Sequence, residues 1–318
     1  MKAMKFSAFG GLDSLRRVEL PCPQPCSGEV LVEVAALSVN PVDWKLRTGA
    51  LRWLGPLRFS AIPCFDYAGR VSAIGSGVEA FGIDDRVFGL CRLGQAGAAR
   101  AALLARPGAL LAATPANVSD EEAAGVPLAG MTALQALNTP RPLMPGERVM
   151  IVGASGGVGH YAVQIAKALG AAVTAVCSTP NIDWVGTLGA DRVLDYFRGD
   201  VDRPVPEFDR VFDAVSLGSF ELWRRWLQPE GAYVTLLPRG DVLLQRLTLP
   251  CCARQQARSI FLKPEAGELE RLAGWMAAGR LRTVIDRLFP FDELLTALQK
   301  SRAGHARGKI VVRVAPET

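Results

Sequence analysis

The chain has 318 residues, 49% hydrophobic and 21% charged, which is ordinary globular composition and excludes a disordered chain or a coiled coil. At roughly 100–200 residues per domain the length allows two domains. No apolar run nears the ~20 residues that cross a bilayer, and Met1–Gly10 lacks the ~7–15-residue apolar core of a secretory signal, so a cytoplasmic protein with no membrane partner is expected.

The first third reads as short strands joined by irregular loops. Glu29–Val39 concentrates apolar and β-branched residues over a strand-length run, and Tyr67–Ile74 and Arg86–Leu90 repeat that character between Gly and Pro breaks. After Pro115 the texture changes. Ser119 with Glu122 three residues on is a capping-box pattern; it opens an Ala/Leu-rich helical stretch through Leu137 and sets a domain boundary near residue 120.

From Arg148 apolar runs alternate with helix-like segments. The runs are Val149–Val152, Ala172–Val176, Arg192–Leu194, Val211–Val215 and Ala232–Leu237, and one intervening helix spans Val158–Leu169. Strand-helix alternation predicts an α/β fold with a doubly wound parallel sheet. Beyond Pro264 the pattern gives an amphipathic helix (Leu269, Leu272, Ala273, Met276), a strand at Thr283–Phe289, a helix at Asp292–Ser301 and a last strand at Lys309–Val314.

The residue inventory excludes several chemistries. The seven cysteines are scattered with no C-x-x-C pair, so neither a disulfide framework nor a zinc knuckle is written here. With only His160 and His305, a three-histidine zinc site is excluded. The net charge of +5 is spread along the chain apart from arginines near 224–225 and 254–258. No Lys/Arg stripe interleaved with aromatics accompanies it, and no nucleic-acid partner is expected.

The most informative stretch is Met150-Ile-Val-Gly-Ala-Ser-Gly-Gly-Val-Gly159, a strand running into a helix. Ala154, Gly156 and Gly159 fill the three positions of G-x-G-x-x-G, with Ala first. Small residues let a backbone approach a pyrophosphate, helix-start N–H groups donate to it, and the last Gly allows close helix-sheet packing. The same residues, read Gly153-Ala-Ser155-Gly-Gly157, spell the G-x-S-x-G elbow of a serine hydrolase, with Asp213 and His305 following in the order such enzymes use. The β-rich segment before the turn and the third glycine favour the dinucleotide reading over a hydrolase using Ser155.

Coenzyme choice is read where the second strand ends, at Cys177-Ser-Thr-Pro-Asn181. An NAD site usually presents a carboxylate there; Ser178 removes that barrier to a 2′-phosphate and favours NADP(H) over NAD(H), although the turn holds no Lys or Arg. Asn181 and Ser178 also suit capping of the next helix.

Taken together, several segments resemble the zinc-independent, quinone oxidoreductase-like branch of the medium-chain dehydrogenase/reductases over nearly the whole chain. They are Ser38-Val-Asn-Pro-Val-Asp-Trp-Lys45, Ile62-Pro-Cys-Phe-Asp-Tyr-Ala-Gly69, Gly75-Ser-Gly-Val78 with Asp85-Arg-Val-Phe-Gly89, Pro127–Leu134, the turn at 153–159, Leu188–Tyr196 and His305-Ala-Arg-Gly-Lys309. The resemblance implies a GroES-like β-rich domain at 1–122, completed by 264–318, clasping a Rossmann domain at 123–263 with the nicotinamide in the cleft between them. It implies NADPH-dependent reduction of quinones, enones or related carbonyl compounds by direct hydride transfer, on a small-molecule substrate; a homodimer is compatible with it.

Carried over by position, the turn Ala154, Ser155, Gly156, Gly157, Val158 and Gly159 would hold the cofactor's pyrophosphate, and Ser178 and Tyr196 its 2′-phosphate end. Asn40 and Asp43 would face the nicotinamide, with Asn40 the first candidate donor to developing charge and Asp43 orienting the backbone beside it. Tyr67 is the remaining candidate proton donor, although its place after Asp66 in a strand suits packing. Where zinc-dependent relatives carry metal ligands this chain has Asn40, Phe65 and Asp66, so no metal is expected. Two departures stand out: Gly97-Ala-Ala-Arg-Ala-Ala-Leu103 lacks the aromatics frequent in the family, and the loop at 48–60 lacks the tyrosine that enoyl thioester reductases use as proton donor. A nucleotide-occupied regulatory protein with little turnover is the alternative from another class.

Overall fold

The computed structural model describes residues 1–7, 10–48, 62–92, 97–108, 110–216, 218–236, 242 and 254–314. Most of the loop at 48–60, Leu237, Cys251 and Cys252 lie outside the described residues. The chain divides into two compact units, Met1–Ala129 with Pro264–Thr318, and Gly130–Lys263.

In the first unit β1 (Lys2–Phe6) and β2 (Leu15–Glu19) form an antiparallel hairpin. The main sheet contains β3 (Val30–Val39), β4 (Asp66–Ile74), β5 (Arg86–Leu90), β6 (Ala102–Ala105) and β7 (Leu111–Ala113). From the far end of the chain come β14 (Ile285–Pro290) and β15 (Lys309–Arg313). The strand order is β14-β15-β3-β4-β5-β7, with β6 also pairing to β3. β3 is buried along nearly its whole length. It therefore lacks the alternation of a half-exposed strand, which is why its sequence reads as a continuous apolar run. β15 runs antiparallel to β3 with Ile310 opposite Val39, and β4 lies on the other side of β3 with Asp66 opposite Ser38.

The first helix, α1 (Pro41–Arg47), starts directly where β3 ends. Pro41 sits at the first helical position, where a missing N–H costs nothing, and holds Asn40 in extended backbone. The capping box at Ser119 forms: the Ser119 N–H donates to Glu122 Oε2 and the Glu122 N–H to Ser119 Oγ. The helical stretch it opens is two helices, α2 (Asp120–Ala124) and α3 (Pro127–Leu137), because Pro127 restarts the helix instead of continuing it. The division between the two units passes through α3.

The second unit holds a six-stranded parallel sheet. Its strands are β8 (Arg148–Val152), β9 (Ala172–Cys177), β10 (Arg192–Asp195), β11 (Phe208–Asp213), β12 (Leu227–Thr235) and β13 (Gln256–Ser259). Their order is β10-β9-β8-β11-β12-β13. Relabelled from β8 as the first strand, this is 3-2-1-4-5-6, the doubly wound Rossmann order. β11 begins three residues before the run read from sequence, since Phe208-Asp209-Arg210 joins the strand. Among the described residues no helix is long and apolar enough to cross a membrane.

Candidate functional site

The order of the parallel sheet reverses between β8 and β11, and a crevice opens beyond the strand ends at such a reversal. The glycine turn lies there, leading from β8 into α4 (Gly159–Ala168). Gly153 adopts a left-handed φ of +74°, and a Cβ on it would stand 2.5 Å from Val215 Cγ1. The Gly153 N–H and the Ala154 N–H both donate to the Val176 carbonyl, which pins the turn to β9. The Gly156 N–H closes the turn onto the Gly153 carbonyl, and the His160 N–H donates to the Gly156 carbonyl.

The two outer glycines of the motif do different work. A Cβ on Gly159 would meet Gly153 O at 2.1 Å and Ala154 Cα at 2.8 Å, whereas one on Gly156 would find only Gly153 O at 3.3 Å. Gly159 is thus required by the fold itself, and Gly156 by whatever approaches the turn. The arrangement fits a dinucleotide: small residues at the start of a ten-residue helix, at the switch point of a parallel sheet.

At the end of β9, Ser178 Oγ accepts a 2.7 Å hydrogen bond from Asn181 Nδ2. Nδ2 also donates to Ser155 Oγ at 3.4 Å, and Asn181 Oδ1 accepts from Trp184 Nε1 at 3.0 Å. Asn181 therefore links the glycine turn to the end of β9, a role that its place as a helix-capping residue did not disclose. The Tyr196 N–H donates to the Cys177 carbonyl, so Tyr196 stands beside Ser178, half-exposed, with its ring against Phe197. The sequence reading found no cation in the 177–181 turn; the structure brings one from the neighbouring strand end. Arg198 Nε lies 3.3 Å from Asp195 Oδ2, and the same carboxylate oxygen accepts from Thr179 Oγ1 at 2.6 Å. No local motif marks Arg198, because its relevance comes from the pairing of β10 with β9.

Asp213, the acid of the hydrolase reading, is buried at the end of β11 and fully engaged. Its carboxylate accepts from the N–H groups of Val215, Ser216 and Gly218 and from the Tyr233 hydroxyl. It holds the loop after β11 in place and has no capacity left to orient an imidazole.

In the first unit the residues expected at the nicotinamide side form a buried polar cluster. Asp66 Oδ2 accepts from Ser38 Oγ at 2.7 Å and Asn40 Nδ2 at 2.7 Å, and Asp66 Oδ1 from the Leu128 N–H at 2.9 Å. Lys309 Nζ donates to Asn40 Oδ1 at 2.6 Å and lies 3.6 Å from Asp66 Oδ2. Burial raises the Asp66 carboxyl and lowers the Lys309 ammonium from their ordinary values, opposed by their mutual attraction and by the donors on Asp66. The sequence reading had assigned Lys309 no role.

Asp43 is the third residue of α1, and its Oδ2 accepts the Asn40 backbone N–H at 2.7 Å. Burial pushes its pKa up to about 8 against that bond, with the Asp66 charge adding to the rise. Asp43 Oδ1 makes no hydrogen bond of good geometry among the described residues, although the nearby Cys64 backbone N–H also lowers its pKa. Asn40, expected as an open donor, is itself buried, with both ends of its amide engaged in the cluster. Tyr67 is packed in the apolar core with Val39, Val87 and Leu111, and burial pushes its hydroxyl well above its ordinary range. Its position is the packed one that the strand after Asp66 suggested.

Comparison with known proteins adds a relationship along the whole chain. Residues 26–133 match the family model described as alcohol dehydrogenase GroES-like domain, and residues 188–312 the one described as zinc-binding dehydrogenase. A chloroplast envelope quinone oxidoreductase homolog of Arabidopsis thaliana is 37% identical over 98% of each chain. A trans-enoyl reductase of Aspergillus terreus is 32% identical, covering 99% of this chain and 96% of its own. Among solved structures, the quinone oxidoreductase from Coxiella burnetii superposes with a TM-score of 0.84 at 29% identity over 99% of both chains.

Proposed function

Because this chain belongs to the medium-chain dehydrogenase/reductases, in their quinone oxidoreductase-like branch, we propose that it is an NADPH-dependent reductase of quinones, enones or related carbonyl compounds that works without zinc. The observation that carries this reading is the glycine turn at the reversal between β8 and β11, a dinucleotide cradle in a sheet of Rossmann order. The quinone oxidoreductase and enoyl reductase relatives support the substrate class.

When bound, the nicotinamide supplies a hydride to an electron-poor double bond or quinone. The residues of the chain bind and orient. The turn Ala154–Gly159 would hold the dinucleotide, and the positive N-terminal end of α4 would favour its phosphates. One Nδ2 hydrogen of Asn40 is held by Asp66, and the second is the donor assigned to the oxygen on which negative charge develops, while Asp43 holds the Asn40 backbone by its 2.7 Å bond. Tyr67 is given no part: its ring packs in the apolar core with Val39, Val87 and Leu111.

The donor set supports zinc-free chemistry. Of the positions where zinc-dependent relatives carry ligands, Phe65 offers no donor, and Asp66 is already bound by Ser38, Asn40 and Leu128. Among the described residues no group of three His, Cys, Asp or Glu is placed to hold a metal ion. Elemental analysis should find no stoichiometric zinc; a tightly held equivalent would contradict this part of the reading.

The coenzyme preference rests on Ser178, where a carboxylate would repel a 2′-phosphate, and on Tyr196 and Arg198 beside it. Hydrogen bonds to one charged group contribute on the order of 1.5–3 kcal/mol, which corresponds to roughly tenfold to a hundredfold preference for NADPH over NADH. The test is steady-state oxidation of NADPH and NADH against a panel of quinones and enones. Tight NADPH binding with no turnover of any acceptor would favour the nucleotide-occupied regulatory protein instead. The proposed compartment is the cytoplasm, and a homodimer is compatible with the reading.

A further inference from the structure

We propose that Lys309 is the positioning residue of the reduction: its ammonium locks and polarises the Asn40 amide, leaving one Nδ2 hydrogen for the substrate oxygen. The inference rests on the role given to Asn40 above. Three strands bring the groups together. Ile310 lies opposite Val39, so the residue before it meets the residue after Val39, and Asp66 enters from β4 opposite Ser38. Gly308 sets the approach: its φ is +80° and a Cβ there would stand 2.1 Å from the Val284 carbonyl oxygen, so only glycine lets the chain enter β15 at this point.

The distances separate this role from a plain buried ion pair. Lys309 Nζ is 2.6 Å from Asn40 Oδ1 and 3.6 Å from Asp66 Oδ2, so the ammonium sits on the amide oxygen rather than on the carboxylate. Only one orientation of the amide is satisfiable: turned over, its NH2 would face an ammonium and its oxygen a carboxylate. With Oδ1 facing Lys309 and one Nδ2 hydrogen on Asp66, the second Nδ2 hydrogen has no acceptor among the described residues. A cation on Oδ1 also draws electrons from the amide nitrogen and makes that remaining N–H a stronger donor. Removing Lys309 leaves Asp66 its three other donors, Ser38, Asn40 and Leu128, but no counter-charge, so stability falls and the melting temperature of each variant is read beside its kinetics.

The test uses the full chain with Lys309→Met, Lys309→Arg, Asn40→Ala and the double variant Lys309→Met/Asn40→Ala. For Lys309→Met we expect kcat for a benzoquinone to fall at least tenfold while the NADPH Kd, from fluorescence, stays within twofold. Lys309→Arg should recover part of the loss, and the double variant should be no slower than Asn40→Ala alone. A second readout does not need turnover. In protein labelled with 15N-asparagine, the Asn40 side-chain pair, identified by its loss in Asn40→Asp, should show two well-separated protons that collapse or broaden in Lys309→Met. An unchanged Asn40 pair, kcat within twofold, or losses that multiply in the double variant would each overturn the proposal. If Lys309→Met does not fold, Lys309→Gln replaces it in both readouts. A wild-type protein that reduces no quinone or enone overturns the proposed function, and the side-chain spectrum still decides whether Lys309 holds the amide.

Discussion

Asp43 holds a carboxyl group in a buried place where Oδ2 is bonded to the Asn40 backbone N–H and Oδ1 has no hydrogen bond of good geometry among the described residues. Its pKa is raised to about 8, so between its unfolded value near 4 and about pH 8 the folded chain gives up stability as pH rises. Asp43→Asn keeps the acceptor for the Asn40 N–H and removes the ionisation. The stability advantage of that variant should be small near pH 4 and grow to a few kcal/mol by pH 9, on the order expected for a shift of this size. Chemical denaturation of both proteins across that range checks it, and a difference that does not change with pH would remove the buried charge as its cause. The glycine turn makes a second residue-scale prediction. Gly159→Ala forces a Cβ onto backbone atoms and should cost melting temperature as well as NADPH binding, whereas Gly156→Asp should bind NADPH at least a hundredfold more weakly with the melting temperature nearly unchanged. Isothermal titration with scanning calorimetry separates the two; an equal loss of stability in both would mean that Gly156 is structural too.

On the proposed reading coenzyme choice belongs to the scale of elements, because the residues assigned to it come from the ends of two neighbouring strands. Ser178 closes β9, and Asp195, Tyr196 and Arg198 follow from β10, joined by the Cys177–Asp195 register. Ser178→Asp should erase or invert the preference for NADPH, and Arg198→Ala should lower it several-fold with little change for NADH. Paired kcat/KM values decide, and equal use of both coenzymes by the unmodified protein would take Ser178, Tyr196 and Arg198 out of the site. The legibility of these elements in the sequence followed their locality. The Ser119–Glu122 cap, the β8-turn-α4 unit and the run of β3 are written in consecutive residues, and local physics suffices to read them. The β1–β2 hairpin and β13 were not foreseen, since neither carries a strong alternation or a turn signal. The contact of Lys309 with Asn40 was beyond reach because 269 residues separate the partners and only the sheet register joins them.

At the scale of the molecule, the parallel-sheet unit is one continuous stretch of chain, while the other is assembled from both ends. A protein truncated after Gly304 loses β15, which lies between β14 and β3, and with it Lys309. It should lose quinone reduction and the melting transition of the first unit while still quenching or enhancing NADPH fluorescence. Loss of nucleotide binding together with the fold would show that the second unit does not stand alone.

The separation between β3 and β15 also sets a timetable for synthesis. At roughly 5–20 residues per second, the ribosome makes β3 about a quarter of a minute to nearly a minute before its partner β15. For that interval the Ala36–Val39 end of β3 lacks its partner on one flank, an unpaired edge that invites pairing with other chains. The stretch Gly130–Lys263 is complete well before then, so the nascent chain should mature from its middle outward, against the usual N-terminal-first order. Pulse proteolysis of arrested chains would reveal this as early protection of the middle and late protection of the first hundred residues, and it marks β3 as the segment a chaperone would have reason to guard.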